Sequence, residues 1–158
     1  MKVESKNKKT FQLSDNGNLM GQLIYEGHFS YNAEIKLANS NNYEIKPDGF
    51  FSTSIKLIQN DLELANLKMN WKGQIVITFK EGEEFIFKAL GVFHNKYVIE
   101  NKEGELLLEF NPKFNWKKFQ YNYDIACHKN PESTMFVLIG IYAVNYYIAV
   151  ISGGLAAG

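Results

Sequence analysis

The sequence predicts a mainly β fold, a closed antiparallel barrel of about 11 to 12 strands around a buried hydrophobic helix at its C-terminal end. Apolar and polar residues alternate along most of the chain between residues 11 and 126. Clusters rich in Asn, Asp and Gly interrupt this alternation every 8 to 12 residues or so, as in an all-β sandwich or barrel. The last long segment, residues 134 to 152, carries no charge.

Period-two alternation assigns one face of each strand to the interior of the barrel. It is clearest between Trp71 and Lys80, and weaker strands are expected near residues 43 to 46, 62 to 69 and 97 to 100. The residues expected on the inward faces are Leu19, Gly21, Leu23 and Tyr25; Ala33, Ile35 and Leu37; Phe51, Thr53, Ile55 and Leu57; Trp71, Gly73, Ile75, Ile77 and Phe79; Phe85, Phe87 and Ala89; Leu106, Leu108 and Phe110; and Phe119, Tyr121, Tyr123 and Ile125.

Two irregularities stand out within this pattern. The alternation changes phase between Leu64 and Leu67, which predicts a β-bulge near Ala65 and Asn66. The tetrapeptide Asn70-Trp71-Lys72-Gly73 is echoed by Asn115-Trp116-Lys117-Lys118. Such an echo indicates two similar half-barrels, with chance resemblance between β-rich segments as the alternative.

The uncharged C-terminal segment predicts a helix over residues 131 to 152, about 33 Å long. Asn130, Pro131 and Glu132 offer an N-cap, a proline at the first helical position and an acid in the first turn. The Gly153-Gly154 pair is the expected stop. Because the segment is apolar nearly all round, it must be buried in protein or in lipid.

A C-terminal membrane anchor is therefore an alternative to a core helix. Tyr142, Asn145 and Tyr146 lie in the middle of the segment, where a membrane span disfavours them. A barrel of this width also needs more than its own side chains to fill it. Small residues at Gly140, Ala143 and Ala149 would let the strands approach the helix, so the core helix is the favoured interpretation.

Composition indicates one domain spanning residues 1–158, with strands over about 11–126 and the helix over about 131–152. The formal net charge is zero and all seventeen basic residues are lysine, so there is no strong signal for nucleic-acid binding. The single cysteine, Cys127, cannot form an internal disulfide. The polar, lysine-rich start is not that of a secretory signal, and we expect a cytoplasmic protein.

The short strands, the echo at Asn70 and Asn115 and the terminal helix from Gly140 to Ser152 together resemble the tubby C-terminal-like superfamily. The resemblance covers the chain from about Phe11 onward, and the compact length fits the LURP-one-related branch best. It implies a twelve-stranded barrel around a hydrophobic helix. Tubby proteins bind phosphoinositide headgroups through lysine and arginine, whereas this chain has no arginine. The proline-rich region and palmitoylated cysteine cluster of phospholipid scramblases are also missing.

The residues give little indication of catalysis. The three histidines, His28, His94 and His128, are scattered without metal-ligand spacing. Cys127 and His128 are adjacent in a predicted strand, so their side chains point to opposite faces. The acidic residues at 81, 83 and 84 flank a glycine and are typical of a solvated hairpin turn. We expect no catalytic residue, no metal site and no cofactor.

The best binding candidate is a group of lysines and tryptophans around the two echoed loops, which suits an anionic headgroup or a nucleic-acid backbone. Its members are Lys68, Lys72, Trp71, Lys113, Trp116, Lys117 and Lys118. The alternative is that these lysines only solvate the outer face while the tryptophans pack inward.

The sequence thus favours a non-enzymatic intracellular binding or scaffolding protein, associated with anionic phospholipid at a membrane surface. The alternatives are a tail-anchored protein with a β-rich soluble domain and an enzyme that uses Cys127 or a carboxylate pair.

Overall fold

In the part of the chain that the structure describes, twelve antiparallel strands close into a barrel around one C-terminal helix. This is a computed structural model, and it describes residues 1–28, 30–48, 54–129 and 133–157. The strands are β1 (Lys2–Ser5), β2 (Thr10–Asp15), β3 (Asn18–Tyr25), β4 (Ala33–Leu37), β5 (Asn42–Pro47), β6 (Ser54–Gln59), β7 (Leu62–Met69), β8 (Ile75–Phe79), β9 (Glu84–Leu90), β10 (Lys96–Asn101), β11 (Leu106–Asn115) and β12 (Gln120–Cys127), followed by α1 (Thr134–Ala157). The predicted fold class is confirmed.

Each strand pairs with its neighbours in sequence, and β1 closes the barrel by pairing with both β2 and β12. The alternation analysis did not predict β1, because only four residues form it within a polar segment. Val3 and Ser5 of this strand are buried, which gives it an inward face. A short strand with two inward residues is therefore enough to remove both open edges of the sheet.

Helix α1 fills the barrel. The side chains from Val137 to Ile139 and from Ile141 to Val144 are fully shielded from solvent. Gly140 faces Phe110 so closely that an added Cβ would lie 2.2 Å from the Phe110 Cζ atom. The predicted role of Gly140 in allowing close approach is thus confirmed.

The ends of α1 differ from the prediction. Asn130, Pro131 and Glu132 lie outside the described residues, and the helix begins at Thr134 with Ser133 as its N-cap. The Ser133 Oγ accepts a hydrogen bond from the Phe136 backbone N–H at 3.2 Å. The predicted stop at Gly153-Gly154 is wrong, since α1 continues to Ala157. Glycine weakens a helix by about 1 kcal/mol but keeps its backbone N–H, so the ladder is not broken.

Two strand predictions are also wrong. Trp71, Lys72 and Gly73 lie in the turn before β8, and Phe119 lies in the turn before β12. Both turns place a residue at positive φ, +76° at Gly73 and +50° at Phe119, which ends the extended conformation. The predicted inward residues Phe51 and Thr53 lie outside the described residues.

Three bulges punctuate the barrel at regular intervals. Pairing registers shift once in each of β3, β7 and β11, leaving Met20, Leu64 and Leu107 as the extra residues. The bulge predicted near Ala65 is confirmed at Leu64. These strands are four apart in a barrel of twelve, so the sequence echo between β7–β8 and β11–β12 connects units that are one third of the barrel each. The prediction of two half-barrels is therefore wrong. Bulges increase local twist, which helps a sheet to curl shut.

Candidate functional site

The two ends of the barrel differ in chemistry. Since consecutive strands are antiparallel, their turns alternate between the ends. We call the end with the β1–β2, β3–β4, β5–β6, β7–β8, β9–β10 and β11–β12 turns the mouth, and the other end the base. At the base, the Phe136 ring lies 4.8 Å from that of Phe85. At the mouth, the Tyr147 hydroxyl lies 3.1 Å from His94 Nδ1. Helix α1 therefore enters at the base and emerges at the mouth.

Exposed apolar side chains concentrate at the mouth. Of the twelve large ones exposed in the described part of the chain, ten lie there: Tyr31, Trp71, Leu90, Val92, Phe93, Phe114, Trp116, Phe119, Tyr121 and Ile151. The exposed fraction is 91% for Trp71, 88% for Phe93 and 76% for Trp116. Only Leu19 and Leu62 of the twelve are at the base. An apolar rim of this kind marks an interaction surface.

Charge follows the same division. Among the described turn residues at the mouth there are six lysines and two acids: Lys6, Lys8, Lys9, Lys72, Lys117 and Lys118, with Glu26 and Asp48. The described turns at the base hold three lysines and five acids: Lys80, Lys102 and Lys129, with Asp61, Glu81, Glu83, Glu103 and Glu105. Although the formal net charge of the molecule is zero, its charged turn residues are distributed unevenly along the barrel axis, with an excess of positive charge at the mouth.

The β11–β12 hairpin projects beyond its neighbours at the mouth. β11 pairs with β10 only as far as Phe110 but continues with β12 to Asn115. Aromatic rings cluster on the projecting part: the Phe114 ring lies 4.8 Å from Trp116, 5.3 Å from Tyr121 and 6.4 Å from Phe119. The Lys118 Nζ donates to the Ser5 carbonyl at 2.8 Å, which ties the hairpin to β1.

The structure places the seven predicted binding residues at or near the mouth but does not bring them into one site. The loops with Trp71 and Trp116 are separated by the β9–β10 hairpin, which contributes Val92 and Phe93. Lys72 lies over the Trp71 ring, 5.4 Å from its centroid. The inward packing of the tryptophans, considered as the alternative, does not occur, because both are exposed at the rim.

The lysines of this group differ in availability. Lys113 forms an ion pair with Asp124, and this lysine is the main cause that lowers the pKa of the Asp124 carboxyl below its ordinary value. Lys118 is engaged with Ser5. Lys68 and Lys117 make no ion pair with the described residues. Lys117 follows the exposed Trp116 in the same turn, so its ammonium group is available to an anion that meets the rim.

Sequence reasoning missed several mouth residues. Val92 and Phe93 lie between two predicted strands, and Lys8 and Lys9 precede the first predicted strand. Phe119 was assigned to a strand. The signal that could have found them is the exposed position of large apolar residues inside turns, where burial cannot explain them.

The residues considered for catalysis lie in different surroundings. The His128 Nε2 lies 3.5 Å from Glu109 Oε2 on the outside of the barrel, while Cys127 is half-buried. The acidic turn at 81, 83 and 84 is at the base. Within the described residues, no group of three or more His, Cys, Asp or Glu side chains is arranged to hold a metal ion.

The interior contains a short chain of polar contacts around α1. The Asn145 Nδ2 donates to the Tyr25 hydroxyl at 3.2 Å, and the Tyr123 hydroxyl donates to Asn145 Oδ1 at 2.7 Å. The Tyr142 hydroxyl donates to the Tyr31 carbonyl at 2.8 Å. Burial raises the pKa of Tyr25, Tyr123 and Tyr142 above its ordinary value. These contacts satisfy polar groups that a wholly apolar core would leave unpaired.

The fold and rim define a closed twelve-stranded barrel with an internal helix and one amphipathic end. Comparisons with protein-family models, with curated proteins and with solved structures found no match. Among the described residues, one helix is long and apolar enough to cross a membrane, over Thr134–Ile151, and just over half of that stretch is buried within the barrel.

Proposed function

We propose that this protein is a non-enzymatic, cytoplasmic barrel that binds anionic phospholipid membranes through its mouth. The observation that carries the proposal is the coincidence of exposed aromatic residues and lysines at one end. Tryptophan and phenylalanine partition into the interfacial region of a bilayer, and lysines near an anionic leaflet add about 1 kcal/mol each. The resemblance to tubby-like proteins agrees with this role but does not supply the residues.

The geometry favours contact by the whole rim over a single headgroup pocket. Trp71, Phe93 and Trp116 come from three different turns of the same end, so all three can meet one flat surface. Lys72 and Lys117 are next to two of them in sequence. The base, with Leu62 and its acidic turns, provides a matched surface of opposite character on the same molecule.

Vesicle flotation tests the proposal. The purified protein should float with vesicles containing phosphatidylserine and remain at the bottom with phosphatidylcholine alone, and high salt should weaken binding since charge contributes. Combining Trp71→Ser, Phe93→Ser and Trp116→Ser should abolish flotation. Leu62→Ser at the base is the matched control and should leave it unchanged.

A charge variant separates the electrostatic contribution. Lys72→Glu with Lys117→Glu should lower binding at least tenfold, on the scale of about 1 kcal/mol per lysine. Lys80→Glu with Lys102→Glu at the base should not. Equal loss for both pairs, or flotation that is independent of anionic lipid, would contradict the proposal.

The tail-anchored alternative rests on the length and hydropathy of α1. It requires the residues from Val137 to Val144 to leave the barrel, where they form its core. Carbonate extraction from cells distinguishes the two: a protein held by its rim is released, whereas an anchored one needs detergent.

A further inference from the structure

A cavity of about 600 Å³ opens at the mouth between α1 and the barrel wall. Phe11, Tyr25 and Tyr121 line it from the strands, and Tyr146 and Ile148 line it from the helix. Its volume falls within the range of about 300 to 1,000 Å³ that is usual for small-molecule sites. Six of the fourteen described lining residues are phenylalanine or tyrosine, which suits a flat apolar body.

One polar atom in this lining has no partner. The Gln120 Oε1 is buried and makes no hydrogen bond within the described structure. Leaving a buried acceptor unpaired is unfavourable, so few native side chains do it without a functional reason. A donor that enters the cavity would satisfy this acceptor once the Gln120 side chain turns towards it.

Two related turns of the same chain show how the corresponding side-chain oxygen accepts a hydrogen bond there. In the β7–β8 turn the Asn70 Nδ2 donates to Gln74 Oε1 at 3.1 Å. In the β10–β11 turn the Asn101 Nδ2 donates to Glu105 Oε2 at 2.7 Å. The β11–β12 turn has the same leading asparagine, Asn115, but Gln120 Oε1 makes no such bond, and Gln120 is among the residues that line the cavity.

The β11–β12 turn departs from the other two at a second position. Gly73 and Gly104 adopt positive φ values of +76° and +82°, as glycine does readily. Phe119 occupies the corresponding place in the β11–β12 turn at +50°, where a bulky side chain is strained. Its ring forms part of the cavity lining. Backbone strain of this kind is found preferentially at binding sites, where selection for function maintains it.

A cation stands at the edge of the cavity. Lys8, in the β1–β2 turn, contributes to the lining and forms no ion pair with the described residues. An anionic group on a ligand would meet it there.

We propose that the mouth cavity binds a small aromatic molecule that carries an N–H or O–H donor and an anionic group. The ring lies between Phe11 and Tyr146, the donor hydrogen-bonds to Gln120 Oε1, and the anion faces Lys8. The site shares Phe119 and Tyr121 with the apolar rim but not Trp71, Phe93 or Trp116, and it needs no membrane, so its failure and that of membrane binding are distinguishable.

Three probe molecules separate these contributions in titrations followed by amide-resolved NMR of the full chain. Indoleacetate has the ring donor and the anion, naphthaleneacetate lacks the donor, and methylindole lacks the anion. We expect saturable shifts at the mouth with indoleacetate and a Kd of about 1 mM, as for an unoptimised ligand of this size. Each of the other two should bind about tenfold more weakly.

Matched variants assign the effects. Gln120→Leu should remove the preference for indoleacetate over naphthaleneacetate, and Gln74→Leu should retain it. Lys8→Ala should weaken both carboxylates and leave methylindole unaffected. Gln120→Glu keeps an acceptor, so this variant should still prefer indoleacetate over naphthaleneacetate. It serves as the second test if Gln120→Leu does not fold. Shifts that do not saturate, that map away from the mouth, or that keep the preference in Gln120→Leu would overturn the proposal.

Discussion

The Tyr123 hydroxyl donates a 2.7 Å hydrogen bond to Asn145 Oδ1 across the interior of the barrel. This contact joins the middle of the most hydrophobic segment to the wall that encloses it. It explains how an amide is tolerated on a core helix, because the other end of the same amide donates to Tyr25.

Asn145→Leu tests that network. The substitution leaves the Tyr25 and Tyr123 hydroxyls without their partner, and each orphaned group should cost about 1 to 3 kcal/mol of unfolding free energy. Urea denaturation followed by circular dichroism measures the change. Adding Tyr123→Phe to Asn145→Leu should recover part of the loss, whereas Ile148→Leu on the same helix should cost less than about 1.5 kcal/mol. Simple additivity of the two losses would contradict the network.

Gly140→Ala tests the contact between α1 and β11. Alanine favours a helix over glycine by about 1 kcal/mol, yet its Cβ would lie 2.2 Å from Phe110 Cζ. Overpacking should win, with a net loss of about 1 to 3 kcal/mol. Thermal denaturation measures it, and Phe110→Leu in the same chain should restore stability by making room. A stabilised Gly140→Ala protein would show that the helix does not approach this closely.

Phe119→Gly separates stability from binding. Glycine relieves the strain at φ +50°, so stability should stay the same or rise by about 1 kcal/mol. Vesicle flotation should nevertheless decrease, since an exposed ring is lost from the rim. Gly73→Ala is the reverse control. It introduces strain at φ +76° in open space and should destabilise the protein without affecting flotation.

The buried tyrosines predict alkaline unfolding. Burial raises the pKa of Tyr97 to about 12 and that of Tyr123 well above its ordinary value of 10.0. Because the folded state favours the neutral hydroxyl, this stability is complete below pH 10.0 and falls as the pH rises through it towards the folded values. The part of the tyrosinate absorbance that Tyr97 and Tyr123 contribute should change together with the circular dichroism.

Tyr97→Phe provides the control for the alkaline transition. It keeps the ring stacked on Phe87, 5.8 Å away, while removing one titrating group. The loss of stability between pH 10 and pH 12 should become smaller, by up to about 1.4 kcal/mol per pH unit. Ionisation of Tyr97 or Tyr123 that precedes unfolding in the unchanged chain would be inconsistent with their burial.

The sequence by itself determined the class of fold. Alternation fixed which side chains face inward, as at Ile75, Ile77 and Phe87, because one buried face requires a period of two. The uncharged run around Tyr142 and Val144 indicated the filling helix, since that much apolar surface must be buried. Local sequence signals predicted the two ends of the helix less well. Ser133 is the N-cap in place of the predicted residue, and the paired glycines near the C-terminal end do not stop the helix.

The tertiary structure alone decided where the candidate sites lie. Which turns share an end depends on strand order and closure, so Trp71, Phe93 and Trp116 become one rim only after twelve strands have paired. Whether Gln120 finds a partner depends equally on the length of its turn and on the helix opposite. The alternation of apolar and polar residues predicts burial because it depends only on residues that are close in sequence. A binding site is formed by residues that are distant in sequence, so no local sequence pattern predicts which of them come together.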